Sequence, residues 1–197
     1  MKLRFLVPAL ALALTTIAAH AQVGLYFNPV VSRISNSKAD TGPFAFLGDG
    51  QKSQIFGGVD FGGYYEFAHY SKFDVSADMR DAIQHGNNAS INSFMVGLRL
   101  AAKPMAFNLK PYIQASVGAG RTRASASEAH IDKLQYGIYA GVDRPFNKHV
   151  DWRIVEISYG SVSAISSATF IADPITPTTF PAPKILGFST GFVFRFK

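Results

Sequence analysis

Three observations predict an all-β chain, an eight-stranded antiparallel up-and-down transmembrane barrel. Apolar and polar residues alternate with a period of two in segment after segment, and these segments number eight. After Gln22 no apolar run reaches the length of a spanning helix, whereas a spanning strand needs only about 9 to 11 alternating residues. The 197 residues include 17 Phe and 17 Gly but no Cys, which argues against disorder and excludes a disulfide scaffold, a thiolate metal site and a cysteine nucleophile.

Residues 1–21 read as a cleaved secretory leader. Lys2 and Arg4 give a basic start, 5–19 is apolar, and Ala19-His20-Ala21 is a small-x-small cleavage site before Gln22. Losing Lys2 and Arg4 takes the formal charge from +6 to +4, which is mild, and nucleic acid is not an expected partner of an exported chain. The barrel domain is then 22–197.

Strands are expected over 23–34, 53–67, 72–82 and 89–102, where the alternation is present but less clean. Over 110–120, Ile113, Ala115, Val117 and Ala119 oppose Tyr112, Gln114, Ser116, Gly118 and Gly120. Over 134–143, Leu134, Tyr136, Ile138, Ala140 and Val142 oppose Gln135, Gly137, Tyr139, Gly141 and Asp143. A seventh strand is expected over 151–164, where the alternation is likewise less clean. In the last, 185–196, Leu186, Phe188, Thr190, Phe192, Phe194 and Phe196 form a face suited to lipid, against Ile185, Gly187, Ser189, Gly191, Val193 and Arg195.

Links of unequal length set the orientation. Short ones are expected at 68–71, 103–109 and 145–150, broken by Pro104, Pro111 and Pro145, and longer ones at 35–52, 83–88, 122–132 and 165–183. Short periplasmic turns and longer extracellular loops are the asymmetry of an outer-membrane barrel. Aromatic residues support the same orientation. Tyr65, Phe67, Phe73, Tyr112, Phe146, Trp152, Phe194 and Phe196, with Tyr64, Tyr70 and Phe107, lie beside the short turns or near the last strand's end, as a periplasmic aromatic girdle would.

Parity places Asp60, Glu66, Asp74, Asp78, Arg80, Arg99, Asp143, Glu156 and Arg195 inside. Eight strands leave a lumen just wide enough for side chains, so these charges are expected to pair as a polar plug; a gated proton or small-ion path is the functional alternative. His85, His130 and His149 lack ligand spacing, so no metal or cofactor is expected. Gly118-Ala119-Gly120 precedes no helix and is not a phosphate loop.

The Gly-spaced strand from Lys110-Pro111-Tyr112-Ile113 to Gly118-Ala119-Gly120, the Gly141-Val142-Asp143 end before a Pro turn, and the alternating Phe192, Phe194 and Phe196 together resemble the small eight-stranded outer-membrane barrels, the OmpA/OmpX-like, porin-like group. The resemblance implies that the last strand is read by the barrel-assembly machinery, although Lys197 follows the final Phe where that group ends on the aromatic. The chain is expected to be a monomer without enzymatic activity, in contact with outer-membrane lipid and lipopolysaccharide. Lys38, Lys52, Arg121, Arg123 and Lys133 stand near the outer rim, and the Pro-rich loop 165–183 is the place for a surface ligand. Three rivals stay open. His69-Tyr70-Ser71 has the His-x-Ser spacing of outer-membrane lipid A deacylases, but it lies at a short turn with Lys72 where those enzymes carry Asn. A soluble lipocalin-type barrel would invert the two faces. A narrow ion channel would conduct.

Overall fold

The computed structural model describes residues 22–37, 39, 47, 50–87, 89–124, 130–163 and 183–196; the expected leader and nearly all of the loop 165–183 lie outside them. Eight strands form: β1 (Val23–Ser35), β2 (Ser53–His69), β3 (Phe73–His85), β4 (Ala89–Ala102), β5 (Lys110–Ala124), β6 (His130–Pro145), β7 (Val150–Ser163) and β8 (Lys184–Phe196). Each pairs antiparallel with its chain neighbours, and β8 closes on β1. Closure leaves no unpaired sheet edge, the condition for a sheet to exist in hydrocarbon.

Alternation fixes the register. In β1 and β8 every second residue is buried in the lumen and the intervening ones face out, so a one-residue slip would turn the whole lipid face inward. The outer wall carries Leu25, Phe27, Val31, Phe61, Met79, Phe94, Leu98, Ile113, Ile138, Ile157, Phe188 and Phe192, all exposed. In water such a surface would be untenable; against acyl chains it is the stable arrangement.

Val23 and Phe196 lie at the same end as the links 70–72, 103–109 and 146–149, which we term the turn end. The opposite, loop end carries 36–52, 86–88, 125–129 and 164–183. The length alternation is less regular than the sequence suggests. β3 continues to His85, so the link expected over 83–88 shrinks to 86–88, closed by a bond from the Gly86 N–H to the Ala89 carbonyl at 2.8 Å. It is shorter than 103–109, and the asymmetry rests on 36–52 and 164–183.

Two irregularities redirect side chains. A β-bulge in β2 lies between Glu66 and Ala68, and a second disturbs β6 and β7 around Val142/Asp143 and Arg153/Glu156. The lumen is divided by height. Ile34, Phe56, Ala89, Ile91, Val162 and Ile185, with Leu47 from the 36–52 link, form an apolar cluster toward the loop end, while the middle and turn end are polar.

Candidate functional site

Arg80 is the centre of the polar layer. Its guanidinium donates to Asp60 Oδ2 at 2.6 Å and forks onto both oxygens of Glu156 at 2.7 and 2.8 Å. Arg153 donates to Glu156 Oε2 at 3.3 Å and to both Asp143 oxygens at 3.0 and 3.4 Å, and Arg99 reaches Asp143 Oδ2 at 2.7 Å. The result is an alternating ladder, Asp60–Arg80–Glu156–Arg153–Asp143–Arg99, in which three guanidinium groups balance three carboxylates. A charge removed from water is tolerated only when it is paired and hydrogen-bonded, and this ladder meets both conditions.

Tyrosines fill the space between the charges. Arg80 lies 3.9 Å from the Tyr139 ring centre, and Arg99 is held between Tyr64 and Tyr112, 4.3 Å from each. The Tyr112 hydroxyl donates to Glu156 Oε2 at 2.5 Å, and Ser189 Oγ adds a bond to Oε1 at 3.2 Å. Asp78, outside the ladder, accepts from Tyr26 at 3.1 Å and from Gln114 at 2.6 Å. Every strand supplies a member: Tyr26, Asp60, Arg80, Arg99, Tyr112, Asp143, Glu156 and Ser189 come from β1 to β8 in that order. Rings this large fit only because the facing wall lacks side chains. A Cβ on Gly141 would lie 2.5 Å from the Tyr112 oxygen, and one on Gly24 would lie 2.3 Å from the Tyr64 ring.

Of the residues placed inside by parity, Asp60, Glu66, Asp78, Arg80, Arg99, Asp143 and Glu156 are buried, and all of these except Glu66 and Asp78 lie on the ladder. Asp74 and Arg195 sit apart, half-buried at the turn-end mouth. Asp74 meets His69 and Lys103, and Arg195 lies 2.8 Å from Asp151, which Lys110 also approaches at 3.2 Å. Sequence parity misses Arg153 and Asp151, because counting back from Glu156 by twos puts them outside. The β7 bulge reverses the phase, and the D-x-R-x-x-E spacing of Asp151, Arg153 and Glu156 was its trace in the sequence.

One group of girdle residues requires correction. Tyr112 is 5% exposed and Tyr64 is likewise buried; both point into the lumen, since the pleat decides their direction regardless of nearness to a turn. Phe67, Phe73, Phe146, Trp152, Phe194 and Phe196 are exposed on the outer wall or in the turn-end links, and Tyr65 is half-buried. The side chain of His69, the histidine of the His-x-Ser triplet, is engaged by Asp74 at the turn-end mouth.

No protein family and no curated protein matches the sequence. Among solved structures, neisserial surface protein A superposes with a TM-score of 0.58 at 12% identity, covering 88% of this chain and 97% of that one. Ail, the attachment invasion locus protein of Yersinia pestis, gives 0.49 at 12% identity over 89% and 97% of the two chains. OprG of Pseudomonas aeruginosa gives 0.45 at 16% identity over 89% and 96%. The chain has the fold of the small eight-stranded outer-membrane barrels.

Proposed function

We propose that this chain is an integral protein of the bacterial outer membrane with a structural or surface-interaction role, closed to solute by its own side chains. The observation that carries this reading is the ladder from Asp60 to Arg99, which bridges β2, β3, β4, β6 and β7 across the lumen inside a wall whose outer face is apolar. Soluble ligand-binding barrels require the reverse, an apolar cavity and a polar exterior. Narrow conduction would require the ladder to open, and each of its guanidinium groups is held by at least one carboxylate.

The turn end faces the periplasm in this reading, with Phe67, Phe73, Trp152, Phe194 and Phe196 at the inner headgroup level. Exposed Lys52, Arg121 and Arg123 at the loop end would then meet lipopolysaccharide phosphates, and loop 165–183 would offer the surface for a partner. Outward-facing Phe192, Phe194 and Phe196 of β8 suit recognition by the barrel-assembly machinery. No catalytic role is assigned to His69.

Gel migration of the protein taken from the outer-membrane fraction, with and without boiling, tests the reading together with planar-bilayer recording. A boiling-dependent shift and no steady conductance are expected. Recovery in the soluble periplasm would overturn membrane residence, and reproducible single-channel steps would overturn the closed lumen.

A further inference from the structure

At the turn-end mouth three potential metal ligands converge. Glu66, His69 and Asp74 each offer one ligand atom, and these atoms all lie within 4.8 Å of one another. The β2 bulge brings them together. His69 lies three positions after Glu66, an odd step that would put them on opposite faces, and the bulged residue returns His69 to the same face, directly across from Asp74 on β3. The His69 Nδ1 and Asp74 Oδ1 atoms are 2.8 Å apart.

Glu66 is the second, independent indication. It is only 8% exposed, its backbone N–H is satisfied by the Gln22 carbonyl at 2.9 Å, and its carboxylate has no hydrogen-bond or ion-pair partner among the described residues. Elsewhere inside this barrel carboxylates are held by arginine, lysine, tyrosine or glutamine. The Glu66 oxygens open on the turn-end mouth rather than into the packed lumen, and with Asp74 beside them they give an entering cation two anionic ligands. A small polar cavity of about 180 Å³ opens beside Glu66 and Asp74, with Arg99, Lys103, Lys110 and Arg195 also on its wall, so an ion entering from the turn end reaches the two carboxylates past basic side chains, while His69 stands outside the cavity lining.

We propose that Glu66, His69 and Asp74 bind a divalent transition-metal cation of the Zn²⁺ class, and that Lys103 is its built-in competitor. One imidazole nitrogen with two carboxylate oxygens suits Zn²⁺ and its neighbours, whereas Mg²⁺ and Ca²⁺ favour all-oxygen sets. Metal–ligand bonds of about 2.0 to 2.2 Å place ligand atoms roughly 3.4 Å apart, so the longer separations in the cluster must shorten by side-chain rotation, while His69 Nδ1 and Asp74 Oδ1, now 2.8 Å apart, exchange their direct contact for the shared ion. His69 and Lys103 have the exposure to allow it, with side chains 34% and 39% accessible. Lys103 Nζ now lies 2.5 Å from Asp74 Oδ1 and must withdraw when the metal binds. Both strands of the β2–β3 turn would then be stapled on the periplasmic side.

Calorimetric titration of Zn²⁺ into the untagged protein, folded in detergent micelles, tests this. Saturable one-to-one binding is expected for Zn²⁺ and none for Mg²⁺. Glu66→Gln should weaken binding by about tenfold or more, His69→Ala should abolish it, and Lys103→Met should strengthen it by about tenfold. His149→Ala, in a different turn, should leave it unchanged. Boiling-dependent gel migration establishes that each variant is folded. Absence of saturable binding in both the native chain and Lys103→Met would overturn the proposal, as would binding that Glu66→Gln and His69→Ala leave intact.

Discussion

Arg80 and Glu156 meet in a two-pronged bond, 2.7 and 2.8 Å, although they come from β3 and β7 and are separated by 76 positions in the chain. Neither strand touches the other in the sheet, so the pair spans the barrel rather than following its wall. Glu156 also takes Arg153 and Tyr112, which makes it the acceptor on which the layer converges.

Glu156→Gln should therefore be among the costliest single changes in the lumen. It keeps the side chain's shape, leaves Arg80 with Asp60 alone, and leaves Arg153 with Asp143 alone. Breaking a buried ion pair from one side costs about 3 to 5 kcal/mol, and the remaining partners place the expected loss near the lower figure. Urea unfolding of the micelle-folded protein measures it. A loss below about 1 kcal/mol would mean that the two arginines rearrange onto other acceptors.

Gly141→Ala should be destabilising out of proportion to one methyl group. The new Cβ would stand 2.5 Å from the Tyr112 oxygen and 2.6 Å from its Cζ, and Tyr112 is fixed by Glu156 and by Arg99 above its ring. Overpacking of this kind costs about 1 to 3 kcal/mol. The same unfolding assay reads it, and a neutral result would show that the ring can shift without losing the Glu156 bond.

Much of this layer was legible in the sequence, but its pairing was not. Asp60, Asp78, Arg80, Arg99 and Asp143 fall inside by counting twos, because an uninterrupted strand obeys the pleat. Arg153 escaped because a bulge changes phase without a reliable local signature, and Tyr112 was drawn to the girdle by its position beside a turn. Which carboxylate meets which arginine depends on the registers around the whole barrel together, and no local pattern contains that sum. Leu47 entering the apolar cluster from a link is another contact that periodicity cannot foresee.

Trp152 offers a direct test of the phase change in β7. Strict alternation from Glu156 would turn it into the lumen, yet it is 41% exposed on the outer wall and paired in register with Phe192. It is the chain's sole tryptophan. Its fluorescence in lipid vesicles should be quenched by brominated acyl chains and little by aqueous iodide. Strong iodide quenching with no effect of bromolipid would place the ring in water and contradict the outward assignment.

Asp81 is a charged residue set among apolar neighbours on the outer wall. It lies between buried Arg80 and Ala82, so the pleat directs it outward, and its register partners are Phe61 on β2 and Phe94 on β4, both exposed to lipid. Among the described residues it has no hydrogen bond or ion pair, and it borders a groove on the outer wall with Leu25, Gly63 and Met79. A carboxylate facing acyl chains is unfavourable by an amount that falls toward the headgroups and is smaller than for arginine or lysine, whose cost reaches about 2 to 4 kcal/mol at the midplane. Asp81→Leu should therefore stabilise the folded barrel in bilayers by about 1 kcal/mol. Because the gain comes from hydrocarbon, it should grow in bilayers with thicker acyl regions, which bring the site deeper. Unfolding in vesicles of two acyl-chain lengths measures both effects. Equal stability of the two proteins in every bilayer would mean that Asp81 already reaches the headgroup layer.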